Sequence, residues 1–374
     1  MQGIGIIGCG NISTAYLTLA PLFQGLEVRA VADLDMDAAQ AQATKFGVRA
    51  SSVDDLLAAG DIDIIVNLTI PDAHFAVTRS ILQAGKHAYS EKPIVLTQEQ
   101  GEDLRSLAAA RDLRVGSAPD TFLGGAHQAA RAAIDAGKIG NVVAGTAHVM
   151  NHGMEHWHPN PDFFFLPGAG PMLDIGPYYV TNLIQLLGPV RRVGALTSTP
   201  ETSRTILSEP RKGEVIPVKT PTNIHALLDF ENGATITLST SWDVWAHRHG
   251  HMELYGTRGS MFLPDPNWFS GDVEIVDKSG ETASLNTTTH PFGVPNVDNN
   301  GVARANYRTA GLADMAQAMN EGRAHRCSLE LALHAVDVMT AILQAGDTGN
   351  MVTLGSTCAR PDPMTADAAR ALLK

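Results

Sequence analysis

The chain has 374 residues, 44% of them hydrophobic and 18% charged, with 27 Lys+Arg against 39 Asp+Glu and a formal net charge of -12. That length suits two domains and that composition a globular protein. The acidic balance, with no cluster of Lys or Arg, argues against nucleic acid or a membrane as a partner.

Three widely spaced cysteines, Cys9, Cys327 and Cys358, form neither a metal-type pair nor a disulfide framework. The opening "MQGIGIIGCGN" carries no basic segment, and its apolar run is short for a leader or a membrane span. A cytoplasmic location is expected. Up to residue 117, short apolar runs alternate with amphipathic stretches. "IGIIG", 27–33, 61–68, 86–91 and 113–117 read as strands; 35–47, 72–85 and 97–112 read as helices. Strands alternating with helices predict an α/β Rossmann domain, a doubly wound parallel sheet, over residues 1–120.

After residue 120 the rhythm changes. A helix over 126–137 leads into a strand over 141–150, a loop crowded with His, Trp, Pro and Phe, and a helix near 171–187. Alternating runs follow at 191–199, 224–244, 251–263 and 272–281, and helices at 309–321, 329–345 and 364–373 close the chain. Asn232-Gly233 between two alternating runs predicts a hairpin turn. Residues 121–374 are therefore expected to form an α+β domain with a large open, mostly antiparallel sheet and helices on one face.

"GIIGCGNIS" places Gly8, Gly10 and Ser13 in a G-x-G-x-x-small frame between a strand and a helix. Such glycines allow a tight turn and close approach of a pyrophosphate, while the helix start at Asn11 and Ile12 offers N–H donors. Asp33 closes the second strand, where a carboxylate accepts from ribose hydroxyls. Leu34 and Asp35 offer no cation for a 2′-phosphate, so NAD is favoured over NADP.

"NLTIPDAH" (67–74) and "SEKP" (90–93) extend this frame. Together these stretches resemble the glucose–fructose oxidoreductase/inositol dehydrogenase (Gfo/Idh/MocA) family. "GKIGNVV" (137–143) is similar to the entry into that family's second domain. "GAGPMLDIGPYYVTNLIQLLG" (168–188) is similar to its G-G-G-x-x-x-D-x-G-x-H segment, with Tyr178 standing where many members have histidine and Thr181 where they have aspartate. The resemblance implies Lys92 as the catalytic lysine and Asp174 as the catalytic aspartate. It also implies cofactor contacts from Thr69, Ile70, Pro71, His74, Glu91 and Lys92, and a homodimer or homotetramer built through the C-terminal sheet.

Elementary chemistry agrees about Lys92. Ligands of open parallel sheets bind beyond the carboxyl ends of the strands, where this lysine projects. An ammonium beside a substrate hydroxyl favours its deprotonation as hydride leaves. A cis Lys92–Pro93 bond is expected. Asp174 and Tyr178 are four apart, hence on one face of a helix beginning between Pro171 and Asp174. Tyr178 is read as the proton acceptor, with Lys92 favouring loss of its proton and Asp174 holding the lysine. The alternative makes Lys92 the base and Tyr178 a hydrogen-bonding neighbour.

Residues 152–156 spell H-x-x-E-H, which holds a metal only on a helix. Gly153, Pro159 and Pro161 argue against one, and no metal is assigned. The segment reads instead as a substrate wall of His152, His156, Trp157 and His158. The joining segment 117–122 has Asp120 and Thr121 where the family pattern has arginine. This points to a small, neutral polyhydroxy substrate, with Asp120 among its contacts. Nothing in the sequence places 242–251 or 306–308. The leading function is an NAD-dependent oxidoreductase acting on a secondary alcohol of a sugar, inositol or glycoside. Two others are a redox-neutral glycoside-cleaving enzyme with tightly held NAD, and a non-catalytic NAD-responsive binding protein.

Overall fold

Six strands, β1 (Gln2–Ile7), β2 (Leu26–Ala32), β3 (Arg49–Ser51), β4 (Ile64–Asn67), β5 (His87–Ser90) and β6 (Val115–Ser117), form the first sheet of this computed structural model, which describes residues 1–374. They run parallel in the order β3-β2-β1-β4-β5-β6. All of β4 and most of β1 are buried, because helices cover both faces; this is why these strands read as near-continuous Ile and Val. The strand order reverses between β1 and β4, opening a crevice at their carboxyl ends. Caps delimit the flanking helices. The Asp35 side chain accepts from Asp37 N and Ala38 N at the start of Met36–Phe46, which ends on left-handed Gly47. β3 and the helix Val53–Ala58 were not expected. β3 is a short edge strand of Arg, Ala and Ser with no apolar run to betray it.

The second sheet has nine strands in the order Thr282–Ser284, Glu274–Asp277, Gly259–Leu263, Met252–Gly256, Val142–Met150, Thr235–Ser241, Asn223–Phe230, Val190–Ser198, Val352–Thr353. Every neighbouring pair is antiparallel except Val142–Met150 with Thr235–Ser241, so the sheet is mixed. Alternation decides its two faces. Along Asn223–Phe230, Ile224, Ala226, Leu228 and Phe230 point into the core, while His225 and Leu227 face outward. Gly233, at φ 90°, makes the expected hairpin turn. The helices Gly176–Leu187 and Leu329–Thr348 pack on the inner face. Leu329–Thr348 is long and apolar enough to cross a membrane, but two-thirds of its most apolar stretch is buried here. It touches β6 and the helix Gln98–Ala110 as well, tying the two sheets together.

Two features depart from expectation. The helix expected near 171–187 is two helices, Gly170–Asp174 and Gly176–Leu187, broken at Ile175. Pro177 has no N–H and its ring obstructs the preceding turn, so it is accommodated in the first turn of the second helix. The loop after Met150 joins the strands Ser203–Thr205 and Val215–Pro217 over a separate small core of Met154, Phe165, Ile206, Ile216, Val218 and Trp242.

The main core contains a buried histidine with a pH consequence. His127 is fully buried, with Nε2 2.8 Å from Trp268 O and Nδ1 3.2 Å from the Asn182 amide nitrogen. A neutral ring satisfies both contacts; a second proton would face the Asn182 donor. Burial accordingly pushes its pKa down to about 4. The folded state therefore binds this proton more weakly than the unfolded state. The contribution is complete above pH 6.5 and is lost as pH falls toward about 4. Urea unfolding across this window should lose roughly 3 kcal/mol to this group. His127→Gln should be less stable at neutral pH and show a shallower acid loss; an identical slope would remove the assignment. Asp120 works in the opposite sense, since burial raises its pKa to about 6.

Candidate active site

At the carboxyl end of β1, Gly8 sits at φ 103°, and a Cβ there would lie 2.6 Å from the Leu68 carbonyl. No other residue fits this turn. A Cβ at Gly10 would meet nothing within 4 Å, so the backbone stands open where a pyrophosphate approaches. The helix Asn11–Leu19 begins there with no acidic residue in its first turn, Asn11 exposed and Ile12 half-buried. Ser13 serves as the third small residue: it is fully buried, with Oγ donating to Gly10 O at 2.6 Å. One Asp33 oxygen accepts from Cys9 N at 2.7 Å and the other from Asp35 N at 2.9 Å, which holds the carboxylate at the rim of this turn. Leu34 beside it is 96% exposed. The residues present fit an adenine dinucleotide, and the carboxylate at the ribose position disfavours a 2′-phosphate.

Asn67, fully buried at the end of β4, organises the next loop. Its amide donates to His74 O and Thr78 Oγ1, both at 3.0 Å, and its oxygen accepts from Thr69 N and Thr69 Oγ1. Thr69, exposed Ile70 and Pro71 thereby line the crevice. His74 does not. It is 1% exposed, with one ring nitrogen 2.7 Å from Pro93 O and the other 2.9 Å from Thr69 O. The expectation that it contacts the cofactor is corrected to a structural strut: it joins the cofactor loop to the segment after Lys92.

The Lys92–Pro93 bond is cis, as expected from the sequence. Lys92 Nζ donates to Asp174 Oδ1 at 2.9 Å and Asp174 O at 2.5 Å, so one ammonium bridges the end of β5 and the helix break at Ile175. The pair is mostly enclosed, with side-chain exposures of 15% and 20%. Burial pushes the Lys92 pKa down, but the Asp174 carboxylate, Tyr178 and Glu91 outweigh it, and the net shift is upward. Lys92 Nζ lies 5.3 Å from the centre of the Tyr178 ring. Glu91 is fixed from two sides, accepting from Tyr16 Oη at 3.0 Å and from Lys92 N at 3.1 Å. The break at Ile175 places Asp174 at the end of one helix and Tyr178 in the first turn of the next. Ile175 between the two helices keeps right-handed helical dihedrals, φ -105° and ψ -26°, so the chain turns onward through the break. Tyr179 points the other way, buried with its hydroxyl 3.0 Å from His251 Nδ1.

Arg308 was not assigned from the sequence; burial pushes its pKa down, but neighbouring Tyr178 and Asp120 outweigh it and the net shift is upward. Asn267 and Trp268 hold it there. No local signal announces such a neighbour, because Tyr178 and Arg308 are 130 apart in the chain. Asp120 was expected to touch substrate, but it is 3% exposed, and its Oδ2 accepts from Thr309 N and Gly311 N, each at 3.0 Å. It is corrected to a cap of the helix Ala310–Glu321.

In the loop after Met150, Glu155 and Arg204, both nearly fully buried, pair at 3.1 Å, and Arg204 also pairs with Asp243. The H-x-x-E-H glutamate is thus engaged by an arginine. His152 stacks on Trp245 at 3.3 Å between ring centres, and Trp157 meets His158 edge-on at 5.3 Å. His156 is exposed and Trp157 is 55% exposed. No hydrogen bond, ion pair or ring contact joins these four residues to Lys92, Asp174 or Tyr178.

Residues 2–118 match the family model described as "Oxidoreductase family, NAD-binding Rossmann fold", and residues 127–262 match the "GFO/IDH/MocA C-terminal domain". Two uncharacterised oxidoreductases of Schizosaccharomyces pombe are 28% and 26% identical, over 39% and 45% of this chain; the alignments span 39% and 48% of those relatives, under two-thirds of their length. D-glucoside 3-dehydrogenase of Escherichia coli strain K12 is 26% identical over 64% of this chain and 70% of its own. The solved apo form of a levoglucosan dehydrogenase superposes with a TM-score of 0.81 at 20% identity, covering 96% of this chain and 100% of that one.

Proposed function

The chain belongs to the Gfo/Idh/MocA family of NAD-binding oxidoreductases, and from that premise we propose that it moves hydride between nicotinamide and a secondary alcohol of a sugar, inositol or glycoside. The carrying observation is the 2.9 Å Lys92–Asp174 pair with the Tyr178 ring 5.3 Å from the same ammonium, beside the dinucleotide crevice. NAD, when bound, supplies the hydride acceptor or donor. The chain's own residues must then manage one proton and one developing charge.

Lys92 keeps its proton at neutral pH, because its pKa is raised. It therefore serves as a cation that hydrogen-bonds the substrate oxygen and favours negative charge there, rather than as a base. Asp174 holds it in place. Tyr178, in its ionised form, takes the hydroxyl proton; the O–H electron pair becomes the second bond of the carbonyl as the C–H pair departs as hydride. His152, His156, Trp157 and His158 form our proposed wall for the substrate ring, with Trp157 offering the apolar face. D-glucoside 3-dehydrogenase and levoglucosan dehydrogenase, among the relatives, support a neutral polyhydroxy compound as substrate. The proposal includes a cytoplasmic enzyme, consistent with three unpaired, buried cysteines. It also includes a homodimer or homotetramer through the outer face of the nine-stranded sheet, where Leu196 and Leu227 are 75% and 51% exposed.

The test is a panel of sugars, inositols and glycosides with NAD and with NADP. NADH formation with at least one alcohol, and a clear preference for NAD, is the expected result. Aglycone release without NADH accumulation would replace this reading with the redox-neutral cycle. Binding of NAD with no conversion of any compound would leave a binding protein.

A further inference from the structure

Aromatic rings run in line along the loop that follows Met150, and the outermost of them are open to solvent. Trp157 and Phe163 are 55% and 43% exposed, and His158 stands edge-on to both, with ring centres 5.3 Å and 5.5 Å away. Phe163 continues onto Phe164 at 4.0 Å, and Phe164 meets the buried Trp242 at 6.0 Å. Leu166, whose N–H donates to Phe163 O, is exposed at the end of the run. Rings left bare in a row, over a core that would have room for apolar groups elsewhere, mark a binding surface.

The strip is rigid, and it adjoins the crevice. Buried Arg204 pairs with Glu155 at 3.1 Å and with Asp243, while Leu207 N donates to Glu155 O and Ser208 Oγ to His158 O. These contacts fasten the loop to the strands Ser203–Thr205 and Val215–Pro217. Two residues after Leu166, Gly168 lies against the supports of the reaction centre: a Cβ there would be 3.3 Å from Leu96 Cδ1 and 3.8 Å from Asp72 Oδ1. Asp72 follows Pro71 of the cofactor loop, Leu96 lies just beyond Pro93, and Gly168 leads into the helix that ends on Asp174. Trp157 and His158 already belong to the proposed wall, so Phe163 lengthens that wall by one further ring.

Its polar content is equally selective. His158 Nδ1 accepts from Asn160 N at 3.1 Å, so Nε2 carries the ring hydrogen, and no protein group accepts from it. The charges at the strip, Asp162 and Arg211, are paired with each other. Aromatic faces, an uncommitted N–H donor and no free charge suit a ring with apolar C–H faces and hydroxyls at its rim. We propose that this strip is a second sugar subsite, so that the substrate is a glycoside of two rings. The ring that is oxidised lies at Lys92 and Tyr178, and the ring joined to it lies on His158 and Phe163, with His158 Nε2 donating to one of its hydroxyls. This rests on the reading of the chain as an oxidoreductase of sugar alcohols.

The experiment uses the full chain with NAD and matched sets of free sugar, methyl glycoside, phenyl glycoside and disaccharide, built on glucose, galactose and mannose. NADH formation gives kcat/KM for each. At least one disaccharide should be preferred over its free sugar by tenfold or more. Phe163→Ala should cut that preference about tenfold, and Phe163→Tyr, which keeps the ring, should retain it. A smaller preference in the parent, or an unchanged one in Phe163→Ala, overturns the second subsite while the oxidoreductase reading stands. A phenyl glycoside preferred over every disaccharide also overturns it and makes the strip a site for an apolar aglycone. Light scattering on the same variants covers the remaining occupant: an oligomer lost in Phe163→Ala with the preference intact makes the strip a contact between copies. Without NADH from any compound, the underlying reading fails and the proposal falls with it.

Discussion

Lys92→Met should lower kcat/KM for alcohol oxidation by about a thousandfold, while the affinity for NAD stays within a few-fold of the parent. The asymmetry follows from where the ammonium sits. It extends past the end of β5 to Asp174, whereas the proposed dinucleotide contacts Gly8, Gly10 and Asp33 lie just beyond the ends of β1 and β2. Methionine keeps the length and most of the volume of lysine but can neither donate to a substrate oxygen nor neutralise charge there. It also leaves the Asp174 carboxylate without its partner, next to the position where negative charge develops, so the loss compounds. NADH binding followed by fluorescence, beside steady-state rates, separates the two effects. A loss under about tenfold in kcat/KM would place Lys92 outside the reaction.

Tyr178→Phe is the second large effect, with kcat expected to fall by about a hundredfold or more and KM for NAD unchanged. Phenylalanine preserves the ring that Lys92 approaches at 5.3 Å but deletes the oxygen. The pH profile discriminates further. With Tyr178 as acceptor, the parent enzyme gains activity as pH rises through an acid limb, and that limb disappears in Tyr178→Phe. With Lys92 as acceptor, the limb would survive in Tyr178→Phe and vanish in Lys92→Met. The upward shift at Lys92 favours the first outcome, because an ammonium stabilised by Asp174 gives up its proton only in strong alkali. A parent-like rate in Tyr178→Phe would return Tyr178 to a packing role.

Much of this is legible in the sequence. Local rules identify the glycine turn, because φ 103° at Gly8 admits one residue type and the helix after it begins where an anion must lie. Strand and helix periods identify the parallel sheet, and the Asn232-Gly233 turn identifies a hairpin in the second one. Lys92 and Asp174 carried recognisable surroundings within a few residues of each. These features depend on neighbours in the chain, so the sequence by itself determined the fold class, the nucleotide crevice and the identity of the central ion pair.

Tertiary structure decided the rest. His74 and Asp120 look like site residues by position, yet each is closed off by backbone it supports, and burial of that kind depends on segments far away in the chain. The helix that periodicity would run from 171 to 187 is broken at Ile175, with Pro177 in the first turn of the second piece. Glu155 met Arg204, and Asp120 met the backbone of Thr309 and Gly311, through contacts that no spacing encodes. Short-range backbone preferences are written residue by residue, whereas the desolvation and pairing of a charge depend on which distant surfaces packing brings against it.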